Sequence, residues 1–346
     1  MTKLRVGIAG YGVVGKRRRQ FIDEHPALEC VAVCDRKLNG ARMTDGVRAH
    51  ADYRGLLAEK LDVLFVSLPN DLAPDVTVAG LEKGLHVFCE KPPGRTIADI
   101  ERVIAVERTR PGQKLKYGFN HRYHDAVRDA LKLARSGELG ALINLRGVYG
   151  KSAIISFESD WRTQRKEAGG GILLDQGIHM VDLMRLFAGD FVEVKSFVSN
   201  AFWNHDVEDN AYALLRSGSG AIAMLHSTAT QWRHRFQLEM SFAKGALMLS
   251  GILSGSKSYG EERLTVVRRG ADDRGVPPEQ SMSYIEDNSW RDEVAEFAEA
   301  IRTDAPIESG SSADALKTMA LVYRIYCADP AWRERWDLSD RVTLNA

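Results

Sequence analysis

The 346-residue chain has only four cysteines, Cys30, Cys34, Cys89 and Cys327, and no CxxC pair. Their scarcity argues against a disulfide scaffold and suits a reducing cytoplasm. No apolar run approaches the roughly 18 residues that a membrane span needs. Neither charge is in excess: 47 Lys and Arg face 47 Asp and Glu. This argues against a whole-protein binder of nucleic acid or anionic membrane and leaves room for a local basic site. Low-complexity tracts are absent, as are repeats with a period of roughly 20–50 residues. The opening MTKLRVGIAG enters a strand pattern at once and has no h-region, so no signal peptide is expected. What remains is a globular composition, 44% apolar and 27% charged. At about 150 residues per domain the expectation is two soluble, cytoplasmic domains.

The first 120 residues alternate strands with helices. Apolar runs at 4–9, 29–34, 63–68, 86–89 and 114–118 read as strands, with helical patterns at 13–23, 72–83 and 97–108 between them. That order predicts right-handed βαβ units and a doubly wound parallel sheet. Helices at about 124–136 and 171–187 follow. Strand-like runs are then expected near 142–149, 193–203, 209–216, 220–228, 236–242 and 246–250. They predict an α+β domain with a largely antiparallel sheet. The polar stretch 268–281 reads as a surface loop, and helices at 288–302 and 311–327 close the chain.

Gly10-Tyr11-Gly12-Val13-Val14-Gly15 is a GxGxxG run between a predicted strand and a predicted helix. In that context the first glycine permits the turn and the second lets a pyrophosphate approach the backbone. The third lets helix and strand pack closely, and the helix N-terminus faces the phosphates. The second strand ends in Asp35, at the right distance to bond a ribose diol. Its carboxylate favours NAD, since it would repel a 2′-phosphate. The adjacent Arg36 and Lys37 keep NADP as the alternative. The basic run Lys16–Arg19 reads mostly as a solvated helix face.

Five further segments complete a recognisable set: SLPN at 67–70, GLHVFCEKP at 84–92, FNHRY at 119–123, GGGILLDQGIHMVD at 169–182 and SADALKTMALVYRIY at 312–326. With the GxGxxG run they make the chain resemble the Gfo/Idh/MocA oxidoreductases, the glucose–fructose oxidoreductase and inositol dehydrogenase family. The resemblance covers most of the chain and is weakest over 230–285. It implies an α/β Rossmann dinucleotide-binding domain over 1–120. An α+β domain with an open, mainly antiparallel sheet would follow over 121–346, with the closing helix able to return to the Rossmann domain. It implies a substrate pocket between the two, over the nicotinamide, and a homodimer or homotetramer built through the second sheet. It also adds Ser67, Leu68, Pro69, Asn70, Glu90, Lys91 and Asn120 to the cofactor contacts, and a cis Lys91–Pro92 bond. The sequence departs from the family where relatives commonly carry a His, here Ala73.

Hydride chemistry at a carbinol carbon needs close alignment and a group that manages the hydroxyl proton. Lys91 follows the strand 86–89, and near an apolar nicotinamide pocket desolvation would disfavour its charge. Asp175 and His179 lie four apart, so on a helix they share a face and suit a proton relay. The resemblance assigns these three as catalytic and substrate residues, with His179 as acid/base. Asn120, Arg122, Trp161 and Arg162 join them on the substrate side, while Asp182 reads as structural. His179 as an ordinary core histidine and Trp161 as plain packing are the bland alternatives. No metal is assigned, because Asp175, His179 and Asp182 lack an evident further ligand nearby. The basic stretch 162–166 could meet an anionic substrate or form a solvated loop.

The reading is an NAD(P)-dependent oxidoreductase of a secondary alcohol or ketone on a sugar, cyclitol or nucleotide sugar. A non-catalytic dinucleotide-binding regulator and an NAD-using glycosidase of the same fold are the competing functions.

Overall fold

Strand Leu4–Ala9 (β1) opens a six-stranded sheet. Leu28–Cys34 (β2), Arg48–His50 (β3), Val63–Val66 (β4), His86–Glu90 (β5) and Leu115–Gly118 (β6) complete it. The order is β3-β2-β1-β4-β5-β6 and every pair is parallel. Such a sheet is covered on both faces, so its strands need continuous apolar runs. Val63, Leu64, Phe65 and Val66 are accordingly all fully buried. Phe65 stacks on Phe88 at 4.8 Å, and Phe297 meets both rings edge-on. The strand order reverses at β1, between β2 and β4, which is where doubly wound sheets place their ligands.

The computed structural model describes residues 2–344 apart from 39–42, 44, 154–159, 256 and 271–274. The chain forms two compact units. One holds the parallel sheet and comprises residues 1–119, 290–316 and 342–346; the other comprises 120–289 and 317–341.

The second unit is built on an eight-stranded sheet. Its strands are Leu142–Gly150 (β7), Phe191–Ser199 (β8), Asn210–Ser217 (β9), Ile222–Thr228 (β10), Arg235–Phe242 (β11), Gly245–Ser250 (β12), Glu262–Arg268 (β13) and Glu279–Tyr284 (β14). The order is β14-β13-β12-β11-β7-β10-β9-β8, antiparallel except for the parallel pair β7–β10. Burial alternates along β9 and β11, as a sheet with one packed face requires. The other face exposes Phe197, Leu214 and Met224.

Three local expectations are corrected. The stretch 268–281 is not all loop, because Glu279 begins β14 and pairs with Val267 of β13; residues 271–274 lie outside the described residues. β14 is polar and mostly exposed because an edge strand binds one neighbour and needs no apolar face there. The helix expected over 171–187 starts instead as a π-helical turn, Leu173–Gly177, and continues as the α-helix Ile178–Ala188. Arg18 does not lie on a solvated helix face: it is fully buried.

None of the four cysteines is in a disulfide. Among the described residues no helix is long and apolar enough to cross a membrane, and no group of three His, Cys, Asp or Glu is placed to hold a metal ion.

Candidate active site

In the parallel-sheet unit, Gly10 turns the chain out of β1 at φ +90°, a conformation that favours glycine. A Cβ there would lie 2.2 Å from the Ser67 carbonyl oxygen, and one at Gly15 would lie 1.9 Å from the Gly10 carbonyl oxygen. Both glycines are therefore required by packing. Gly12 differs: a Cβ there would meet nothing within 4 Å. It caps the helix Val13–Glu24 with no side-chain hydrogen bond, so no capping side chain occupies the first-turn N–H groups. Open space beside uncapped helical N–H groups is the cradle that a pyrophosphate fills.

Asp35 follows β2. Its Oδ2 accepts the Tyr11 N–H at 3.0 Å and its Oδ1 the Lys37 N–H at 3.1 Å. Each oxygen keeps a lone pair that a ribose diol can use. Arg36, next along, is exposed. Ser67 follows β4 and donates its N–H to the Ala9 carbonyl at 2.7 Å, bringing the segment Ser67, Leu68, Pro69 and Asn70 beside the glycine turn. The residues of this unit thus fit a dinucleotide.

Glu90 ends β5, and half-buried Lys91 comes next. The Lys91–Pro92 peptide is cis, as the resemblance implies. Glu90 is held by Arg18, whose Nε donates to Glu90 Oε1 at 2.6 Å and whose Nη2 donates to Glu293 Oε2 at 2.6 Å. The guanidinium lies over the rings of Phe88 (4.4 Å) and Trp290 (4.3 Å). Burial pushes the Glu293 carboxyl up to about 7, although the charges of Arg18 and Lys116 pull it down. Burial alone would lower the Arg18 pKa; the charges of Glu90 and Glu293 outweigh it and raise it. Sequence reading assigned neither Arg18 nor Glu293 to the site. They are 275 residues apart, and no local pattern announces the pair.

In the second unit the GGG motif is a packing device. A Cβ at Gly171 would lie 2.1 Å from the Glu208 carbonyl oxygen, and one at Gly170 would lie 2.3 Å from the Tyr326 hydroxyl. Buried Glu208 gathers the segment, accepting the N–H groups of Gly171 (2.7 Å) and Leu173 (3.0 Å) and the Tyr326 hydroxyl (2.6 Å). Asp175 stands in the π turn that follows. Its Oδ1 is 3.6 Å from Arg162 Nε and its Oδ2 accepts from Gln176 at 3.2 Å. Arg162 in turn lies 4.2 Å over the Trp161 ring.

His179 is buried in the helix beyond and stacks on His121, with centroids 3.7 Å apart and planes at 11°. Asp175 thus stands beside Arg162 and Gln176, and His179 lies flat against the His121 imidazole. His121 also contacts Asn120 Oδ1 at 3.2 Å and the Tyr149 hydroxyl at 3.1 Å, and Asn120 Nδ2 donates to Ser289 Oγ at 3.2 Å. Burial raises the Tyr149 pKa, so the hydroxyl stays protonated at neutral pH. No sequence spacing marks His121, although it lies between Asn120 and Arg122. Arg122 directs Nε and Nη2 at the two oxygens of buried Asp182, at 2.7 and 2.5 Å, and Thr318 adds a third bond to Asp182 at 3.1 Å.

Two family models match this chain. An oxidoreductase family with an NAD-binding Rossmann fold matches residues 4–119, and a GFO/IDH/MocA C-terminal domain matches 127–248. A levoglucosan dehydrogenase of Pseudarthrobacter phenanthrenivorans is 26% identical over 266 residues, covering 66% of this chain and 68% of the relative. A D-glucoside 3-dehydrogenase of Escherichia coli is 29% identical over 272 residues, covering 70% and 75%. An inositol 2-dehydrogenase of Salmonella typhimurium is 28% identical over 202 residues, covering 56% and 57%. Among solved structures, levoglucosan dehydrogenase in complex with NADH and levoglucosan superposes with a TM-score of 0.84 at 20% identity, covering 96% of this chain and 98% of that one. A 3-ketoreductase from Actinomadura kijaniata, in complex with TDP-benzene and NADP, gives 0.80 at 23% identity, covering 95% and 98%. These likenesses establish the fold. The two family models show that the chain belongs to the Gfo/Idh/MocA oxidoreductase family of NAD(P)-dependent dehydrogenases and reductases.

Proposed function

We propose that the protein is an NAD-preferring dehydrogenase or reductase of a secondary alcohol on a sugar, cyclitol or nucleotide sugar. The observation that carries the cofactor choice is Asp35. Its two oxygens are fixed by backbone N–H groups, and a 2′-phosphate would bring negative charge against them. Bound at the Gly10–Gly15 turn, the cofactor supplies the hydride acceptor or donor.

The chain's own residues manage position and proton. Lys91 Nζ donates to the alcohol oxygen and steadies its developing charge. His179 accepts the hydroxyl proton on oxidation and returns it on reduction. The flat contact with His121 fixes the plane of the His179 ring, and the hydrogen bond that Asn120 donates to Ser289, with its contact to His121, fixes the Asn120 amide that contacts substrate. Asp175 takes a substrate hydroxyl, with Arg162 and Trp161 beside it. The relatives named above as dehydrogenases of levoglucosan, D-glucosides and inositol support a polyhydroxylated ring as substrate.

Thermal melting of nucleotide-stripped protein with NAD, NADH, NADP and NADPH tests the cofactor. A ligand at 100 times its Kd stabilises by about 2.7 kcal/mol, a shift of a few degrees. NAD and NADH are expected to shift the melt more than the phosphorylated pair. Asp35→Asn should narrow that preference; an unchanged preference would remove Asp35 from the account.

A further inference from the structure

Phe202, Trp203 and Trp232 form an aromatic cluster on the second unit that the proposed chemistry does not use, and only Trp203 packs into the core. Their rings meet edge to face, Phe202–Trp232 at 4.8 Å, Phe202–Trp203 at 5.1 Å and Trp203–Trp232 at 6.2 Å. Phe202 is 57% exposed and Trp232 61%. More than half of each ring thus stays in contact with water. Trp232 also sits at φ +57°, and Asn204, beside Trp203, at φ +54°. A bulky residue in the left-handed region is a true outlier, and such strain clusters at ligand sites.

The cluster is held rigidly. Buried Asp209 accepts the backbone N–H groups of Ala201 (3.0 Å), Phe202 (2.7 Å) and Trp203 (3.1 Å). Trp203 Nε1 donates to the Ala229 carbonyl at 2.8 Å, and its ring packs on Ile172, Val207 and Ala229. That packing ties the cluster to the candidate site, since Ile172 lies three residues before Asp175 in the same segment. A second tie runs through Arg165, whose N–H donates to Asp206 at 2.7 Å and joins the Trp161–Arg162 segment to the aromatic loop.

We propose that Phe202, Trp203 and Trp232 are a stacking subsite for a second ring carried by the substrate, making the protein favour glycosides whose aglycone is a ring over those without one. This rests on the assignment of Asp175 to the reacting sugar. A sugar or aryl ring offers an apolar face with polar groups at its edge. The cluster offers the exposed Phe202 and Trp232 side chains, with Arg162 and Asp206 on the neighbouring segments. A few convergent polar groups around aromatic walls are the usual composition of a small-ligand site. Three side chains fall well short of the roughly 1,000 Å² that a stable protein interface buries.

The test compares binding of methyl β-D-glucoside, phenyl β-D-glucoside and cellobiose to the full chain with NAD in excess. The readouts are tryptophan fluorescence and saturation-transfer NMR. The phenyl glucoside and cellobiose are expected to bind about tenfold more tightly than the methyl glucoside. Trp232→Ala should bring that ratio to about one and leave methyl glucoside binding unchanged. Trp232→Gly, which suits the positive φ, should do the same and guards against a folding artefact. The proposal is overturned if the ratio survives both variants, or if the phenyl protons receive no saturation. It is equally overturned if none of the three probes binds, or if the variants change only the oligomeric mass in light scattering. Binding needs no turnover. A ratio that collapses as expected on a protein that oxidises no sugar would therefore sink the proposed function and leave the subsite standing.

Discussion

Replacing Lys91 with Ala is expected to lower kcat by about 10²–10³-fold, the range for losing one hydrogen-bond donor to an oxygen that develops charge. The melting shift given by the cofactor should remain, because the Gly10–Gly15 turn and Asp35 are untouched. Lys91 stands at the end of β5, directly after a glutamate anchored by buried Arg18. Its backbone is thus set by the sheet, and the variant should fold. The loss should fall on kcat and kcat/KM together, the mark of an interaction made in the transition state. Turnover unchanged in Lys91→Ala would end the catalytic assignment. A rise in KM alone would make Lys91 a binding residue.

The Rossmann half was legible because its signals are local. Buried parallel strands demand unbroken apolar runs, and the glycine turn must fall between strand and helix. Short or polar elements were not legible. β3 is three residues long, and β14 is a polar edge strand. The helix Pro330–Trp336 did carry a signal that went unread. Asp329 caps it by accepting the Trp332 N–H, and Pro330 opens it. In the candidate site, the residue types Asp175 and His179 stood out by spacing, but the π turn between them did not. It depends on how Gly170 and Gly171 close against Tyr326 and Glu208. The stacking of His121 on His179 and the pairing of Arg18 with Glu293 join segments far apart in the chain. Spacing within one segment carries no trace of either.

The second large effect is on stability. Arg18→Met is expected to destabilise the protein by about 3–5 kcal/mol at pH 8, the usual cost of removing one partner of a buried ion pair. It would strand the fully buried carboxylate of Glu293 and leave Glu90 without its anchor. The cost should shrink toward pH 6, where Glu293 takes a proton instead. In the unaltered protein, Glu293 has a folded pKa of about 7, above its ordinary 4.5. The folded state therefore binds this proton more tightly than the unfolded state. Stability is full below about pH 4.5 with respect to this group and declines as pH rises to about 7, by roughly 3 kcal/mol in all. Glu293→Gln should flatten that slope. Urea unfolding from pH 5 to 8 would measure it, and an equal slope in the variant would contradict the assignment.

The proposed function requires this chain to transfer hydride between a nicotinamide cofactor and a sugar-like alcohol. The most direct measurement is the appearance of reduced cofactor when the protein and NAD are given a panel of glucosides, free sugars and cyclitols. Turnover is expected with at least one member, and its loss in Lys91→Ala. Cofactor binding without turnover on any member, in protein shown to be folded, would contradict it and leave a dinucleotide-binding regulator in its place.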